Sequence, residues 1–283
     1  MGVILGIVVV IGCVLGGFMM AGGHIMALFH PSEVVTIGGA ALGALIINTP
    51  PKVVVDLIKG ILGLLKGNPY GKAAYIELFK LMYEMFKIGR RDGLLAWDAH
   101  LNDPHASAVF SKYPKIVNNH HISDFLAGSL LAVTDGSATP EQLTAQMDQE
   151  IKVMEDEHHN AIAALSKTAD ALPGFGIVAA VLGIVVTMEA VSGPVEEIGH
   201  KVGAALVGTF LGILASYGFL APLAGRLEFA GHAESAFLKT ITNAILAFHA
   251  GGSPKGIIGQ LRRTVATDCR PSREEMEDIF REA

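Results

Sequence analysis

The side chains able to do chemistry in this sequence are few. Two histidine pairs, His120-His121 and His158-His159, are the first candidates for a metal site. Neighbouring side chains on a helix diverge, and neither pair has cysteine or paired ligand spacing beside it, so they read as surface histidines with no metal. No glycine loop that cradles phosphate, no nucleotide motif and no Ser-His-Asp pattern stands out. The chain is therefore expected not to be an enzyme and to need no cofactor. Cys13 and Cys269 imply no disulfide framework. A net charge of −6 without a basic stripe argues against nucleic acid as a partner. What remains is a charged cluster, Arg90-Arg91-Asp92 followed by Asp98, flanked by Gly89 and Gly93. It reads either as a solvated face or as a helix end presented outward.

The elements that carry these residues follow from composition. Hydrophobic residues make up 51% and charged residues 17% of the chain, and mean hydropathy is +0.46. Residues 1–23, 34–51, 171–188 and 202–225 contain no Asp, Glu, Lys or Arg. About 20 apolar residues cross a bilayer, so these runs predict four transmembrane helices. The first lacks the basic start and short apolar core of a signal peptide and is read as retained. Near the span ends, Lys52, Lys59, Lys66, Lys152, Lys167 and Arg226 stand against Lys201 alone. Basic residues favour the cytoplasmic side, so both termini and the long loop are expected there. No span has an acid or base at its centre, and ion movement normally needs a carboxylate at depth. If the chain serves ion flow, a second polypeptide must supply that acid. Pro173 opens the third run and Pro222 nearly closes the fourth. Each reads either as an ordinary transmembrane kink or as a hinge joining membrane events to cytoplasmic helices.

The rest of the chain reads as helix. Ile76, Phe79, Met82, Tyr83 and Phe86 share one face between Lys72 and Asp98. Thr139-Pro140-Glu141-Gln142 and Ser272-x-x-Glu275 are capping boxes, and no breaker separates Glu141 from Leu172. Small residues lie four apart at Gly12/Gly16, Gly39/Gly43, Gly176/Ala180 and Gly208/Gly212, for close packing within one subunit or between subunits. The expectation is an all-α integral membrane protein. Its segments are transmembrane helices 1 and 2 (1–51), a cytoplasmic helical domain (52–169), transmembrane helices 3 and 4 (170–225) and a cytoplasmic C-terminal tail (226–283).

Several stretches carry a family resemblance over nearly the whole chain. They are Met20-Ala21-Gly22-Gly23, Tyr113-Pro114, Met147-Asp148-Gln149-Glu150, Leu172 to Ala180 and Val207 to Leu214. The chain resembles the flagellar motor stator A subunit (MotA) of the MotA/TolQ/ExbB proton channel family. That resemblance implies a ring of A subunits, a homo-oligomer in the lipid of the bacterial inner membrane, around helices of a stator B subunit (MotB) whose aspartate carries the proton. It implies that Arg90 faces the rotor switch protein FliG, with Asp98 where the family usually has glutamate. It further implies that Pro173 and Pro222 couple ion passage to movement and that Thr209 and Ala180 border the ion path. Sodium-driven relatives tend to have Thr at the Ala180 position, so Ala favours protons. An ExbB/TolQ-type energising subunit for outer-membrane transport is the alternative; those relatives typically have three spans, and the extra N-terminal span favours the stator.

Overall fold

The structure is a computed structural model that describes residues 2–136, 138–189 and 191–282. No strand occurs among them. The chain divides into two compact units, residues 1–67 with 157–230 and residues 68–156 with 231–283. Each unit is thus assembled from two distant stretches of chain.

The first unit holds the apolar helices. They are α1 (Gly2–Met20), α2 (Pro31–Asn48), the C-terminal part of α8 (Pro140–Glu189) and α9 (Val195–Ile213). Among the described residues, four helices are long and apolar enough to cross a membrane. α1 buries none of its residues, and Leu5 is 66% exposed. α9 passes into a seven-residue π-helical segment, Leu214–Leu220, and then into α10 (Ala221–His249). α3 (Pro51–Lys66) follows the Pro50-Pro51 break with one strongly apolar face. That face sets Leu57 among Ala161, Leu165 and Ala224, so α3 belongs with the apolar helices of the first unit and not with the core of the second.

The second unit has one hydrophobic core. Its walls are α4 (Lys72–Arg91), α7 (His120–Thr134), the start of α8, the rest of α10, α11 (Pro254–Leu261) and α12 (Arg273–Glu282), with the short α5 (Asp98–Leu101) and α6 (Pro114–Val117) between. Tyr75 of α4 meets Phe237 of α10 at 4.7 Å between ring centres, and Phe86 stacks on Phe248 at 4.5 Å. Leu143, Met147 and Ile151 of α8 are in the same core. Residues 231–283 therefore share one core with residues 68–156. Both capping boxes form. Gln142 N donates to Thr139 Oγ1 at 3.3 Å and Thr139 N to Gln142 Oε1 at 2.9 Å, while Glu275 N donates to Ser272 Oγ at 3.1 Å. From its cap, α8 continues for 50 residues, a length of about 75 Å.

α4 stops at Arg91, seven residues before Asp98. Gly93 turns the chain with φ +88, a backbone state that favours glycine. Trp97 then folds back onto α4, where its Nε1 donates to the Met85 carbonyl at 2.7 Å. A Cβ on Gly89 would lie 2.7 Å from the Trp97 ring. That glycine makes room for the indole, which is fully buried.

Candidate functional site

The residues singled out by the sequence fall into two groups, one in each unit. Arg90 and Asp98 belong to the second. Arg90 ends α4, and its Nη2 donates to the carbonyls of Phe248 at 3.2 Å and Gly252 at 3.1 Å. Its guanidinium carbon stands 4.6 Å over the centre of the Phe248 ring. These carbonyls close the C-terminal end of α10, where a cation meets both the terminal oxygens, that of Phe248 also accepting from Gly251 N–H, and the negative end of the helix dipole. Arg91 forks onto Asp92 at 2.8 Å and holds its carboxyl below the usual carboxylate range. Asp98, at the start of α5, is half-buried, and among the described residues its carboxylate has no ion pair and no hydrogen bond. The two candidates are thus unlike: the Arg90 charge is committed to a helix end, and the Asp98 charge is open. Trp97 fixes the segment between them.

Pro173, Pro222, Ala180 and Thr209 belong to the first unit. α8 and α9 cross there with almost no side chain between them. A Cβ on Gly212 would lie 2.7 Å from the Leu172 carbonyl and 2.9 Å from the Gly176 Cα. One on Gly176 would lie 3.0 Å from the Gly208 carbonyl and 3.3 Å from the Thr209 Cα, and one on Gly183 would lie 2.8 Å from the Ala205 Cβ. Two of the four small-residue pairs are therefore consumed within this chain. At Gly12, Gly16, Gly39 and Gly43 an added Cβ would find nothing within 4 Å.

Ala180 lines an apolar groove with Ile177, Ile184, Ala205 and Leu206. Thr187 bonds back to the Gly183 carbonyl at 2.7 Å, whereas Thr209 makes no such bond among the described residues. Its hydroxyl is available. Pro173 lies inside continuous α8 and removes the donor that the Ala169 carbonyl would take. Pro222 is the second residue of α10, and between it and the π-helical segment stands only Ala221, whose N–H reaches back five residues to the Ser216 carbonyl. A proline cannot supply the bond at the next position, and the wider register is a soft, seven-residue stretch that ends two residues before it. Ser216 is fully buried with no partner for its Oγ among the described residues.

The histidine pairs carry no such arrangement. His121 Nδ1 is 3.1 Å from Glu234 Oε1, and the His120 ring stands near that of His105.

One residue escaped the sequence reading. Glu33 lies in the first turn of α2, one position ahead of the second charge-free run, yet it is only 7% exposed and its Oε2 has no hydrogen-bond partner among the described residues. The signal in the sequence was its position in Pro31-Ser32-Glu33, after His30 and before an unbroken apolar run.

Comparison with known proteins agrees over both units. The description "Motility protein A N-terminal" matches residues 4–93, and "MotA/TolQ/ExbB proton channel family" matches residues 117–240. The chain is 35% identical over 279 residues to Motility protein A of Salmonella typhimurium, covering 99% of this chain and 95% of that one. It is 34% identical over 273 residues to Chemotaxis protein LafT of Vibrio parahaemolyticus, covering 96% of each. Its fold is similar to the C. jejuni MotAB structure, with a TM-score of 0.80, 22% identity and coverage of 96% of this chain and 98% of that one. The flagellar MotAB stator complex of Bacillus subtilis gives 0.76 at 24% identity, covering 99% and 98%.

Proposed function

We infer that this chain, which belongs to the motility protein A family, is the A subunit of a flagellar motor stator. With a B subunit (MotB) it forms a proton-conducting membrane complex that converts proton flow into torque on the rotor. The observation that carries this is the crossing of α8 and α9, which places Ala180 and an unbonded Thr209 hydroxyl beside backbone packed too tightly to move except as a unit. Pro173 and the π-helical segment before Pro222 are the soft points at which such movement is absorbed. Ala180 offers no oxygen for a hard cation, which fits protons. The uncovered glycines of α1 and α2 suit packing against neighbouring subunits in a ring. The lysine and arginine distribution supports an inner-membrane protein with both termini cytoplasmic.

The reading is tested by expressing the chain with its B subunit in a flagellated strain that lacks its own stator. Swimming should return, should be indifferent to sodium removal and should stop with a protonophore. No swimming while both chains stand in the membrane would overturn it.

Arg90 and Asp98 are the proposed contacts with charges of opposite sign on FliG. Exposed pairs contribute only about 0–1 kcal/mol each, so neutral variants should slow swimming partially and reversals should do worse. Because Arg90 also closes α10, Arg90→Glu should in addition lower stability by about 1 kcal/mol. Asp98→Lys should stop swimming without that loss, and a matching reversal on FliG should restore part of it. An Asp98→Lys protein that swims normally at wild-type membrane levels would remove Asp98 from the rotor contact.

A further inference from the structure

Glu33 is the buried acid that the chain was not expected to have. Its α2 helix packs along α9, and a Cβ on Gly208 would lie 2.6 Å from Glu33 Oε2, 3.2 Å from the Ala179 Cβ and 3.4 Å from the Ala180 nitrogen. The carboxylate oxygen thus rests on the Gly208 backbone where α2, α8 and α9 meet. Gly208 is seven residues beyond Lys201, about 10 Å along α9 and inside the charge-free run. Thr209 is the next residue, and Ala180 touches the same point. A carboxylate at such depth with no donor is expensive to keep ionised, and buried acids in spans are retained where protons or ions pass.

The charged surroundings are sparse. His30, at the N-cap of α2 with Nε2 3.1 Å from the Ala27 carbonyl, is the titratable group that acts on Glu33. The charge-free runs of α1, α8 and α9 bring none, and Glu197, His200 and Lys201 lie toward the start of α9.

We propose that Glu33 is a second protonatable group of the conduction path, supplied by the A subunit. It takes a proton from water on the side opposite the cytoplasmic loop and passes it toward the B-subunit carboxylate. The Glu33 carboxylate gains one proton from hydronium, leaving water, and loses it again to that carboxylate as acceptor, so the group is regenerated each cycle. The proposal rests on the stator reading.

The test uses the full chain with its B subunit in the stator-less strain and compares wild type, Glu33→Gln and Glu33→Asp. Membrane levels and co-purification of the B subunit are measured with swimming speed across external pH. The expected result is a wild type whose speed depends on external pH and a Glu33→Gln complex that assembles normally, swims several-fold slower and has lost that dependence. Glu33→Asp should keep speed near wild type with a displaced pH midpoint. A Glu33→Gln complex with wild-type speed overturns the proposal, as does a slow one with an unchanged pH profile, which would mean packing alone. If Glu33→Gln does not reach the membrane, Glu33→Asp decides, and an undisplaced profile overturns the proposal. If the wild-type pair fails to swim, the stator reading itself fails and the proposal falls with it, a result distinct from all the others.

Discussion

Gly212→Val should abolish swimming and sharply reduce the chain in the membrane. The new Cβ would fall 2.7 Å from the Leu172 carbonyl and within 3.1 Å of the Gly176 backbone. Both are main chain in the middle of a crossing, so neither moves aside as a side-chain tip would. Overpacking of ordinary cores costs about 1–3 kcal/mol; here two spans must separate, and the contacts at Gly176, Gly208 and Gly183 separate with them. Gly12→Val is the control, since nothing stands within 4 Å of that position; it should leave membrane levels of the chain intact. Immunoblots of membranes and swimming halos read both variants. Wild-type levels and motility for Gly212→Val would show that the crossing is looser than these distances say.

Gly89→Val should have the second-largest effect, on the other unit. Its Cβ would meet the Trp97 ring at 2.7 Å and displace an indole that is fully buried and donates to the Met85 carbonyl. Overpacking contributes about 1–3 kcal/mol of destabilisation, and a Trp97 indole N–H that loses its Met85 acceptor adds about 1–3 kcal/mol more if water does not reach it. Trp97 is the one tryptophan of the chain, so its emission reports this unit alone. In detergent, Gly89→Val should shift that emission to the red and lower the unfolding midpoint. It should also stop swimming, because Arg90 and Asp98 flank the displaced segment. An unshifted emission with normal stability would contradict the packing of Trp97 on α4.

What could be read in advance divides by range. The charge-free runs, the capping boxes at Thr139 and Ser272 and the unbroken stretch from Glu141 to Leu172 are local signals, and each corresponds to a helix in the structure. The end of α4 was legible only as one of two readings of the Arg90-Arg91-Asp92 cluster, because what fixes it, Trp97 finding Gly89, is not a local signal. Nor was α3, whose apolar face makes sense only once Ala161, Leu165 and Ala224 lie beside it. Arg90 was visible as a charge but not as the cap of a helix end some 160 residues later, a pairing no local pattern announces. Glu33 was missed for a related reason. A carboxylate at the edge of an apolar run looks like an interfacial charge until the helix packed against it shows that it is enclosed.

The shared core of the second unit also sets a timetable for the newborn chain. Phe79, Phe86 and Trp97 leave the ribosome early, yet Phe237, Ile241, Phe248 and Ile279, which cover them, come after two further spans. The 74 residues from 157 to 230 take roughly 4–15 s to make at usual synthesis speeds of about 5–20 residues per second. For that interval the larger part of a hydrophobic core waits without the rest. Completion of this domain therefore waits until the third and fourth spans have been synthesised.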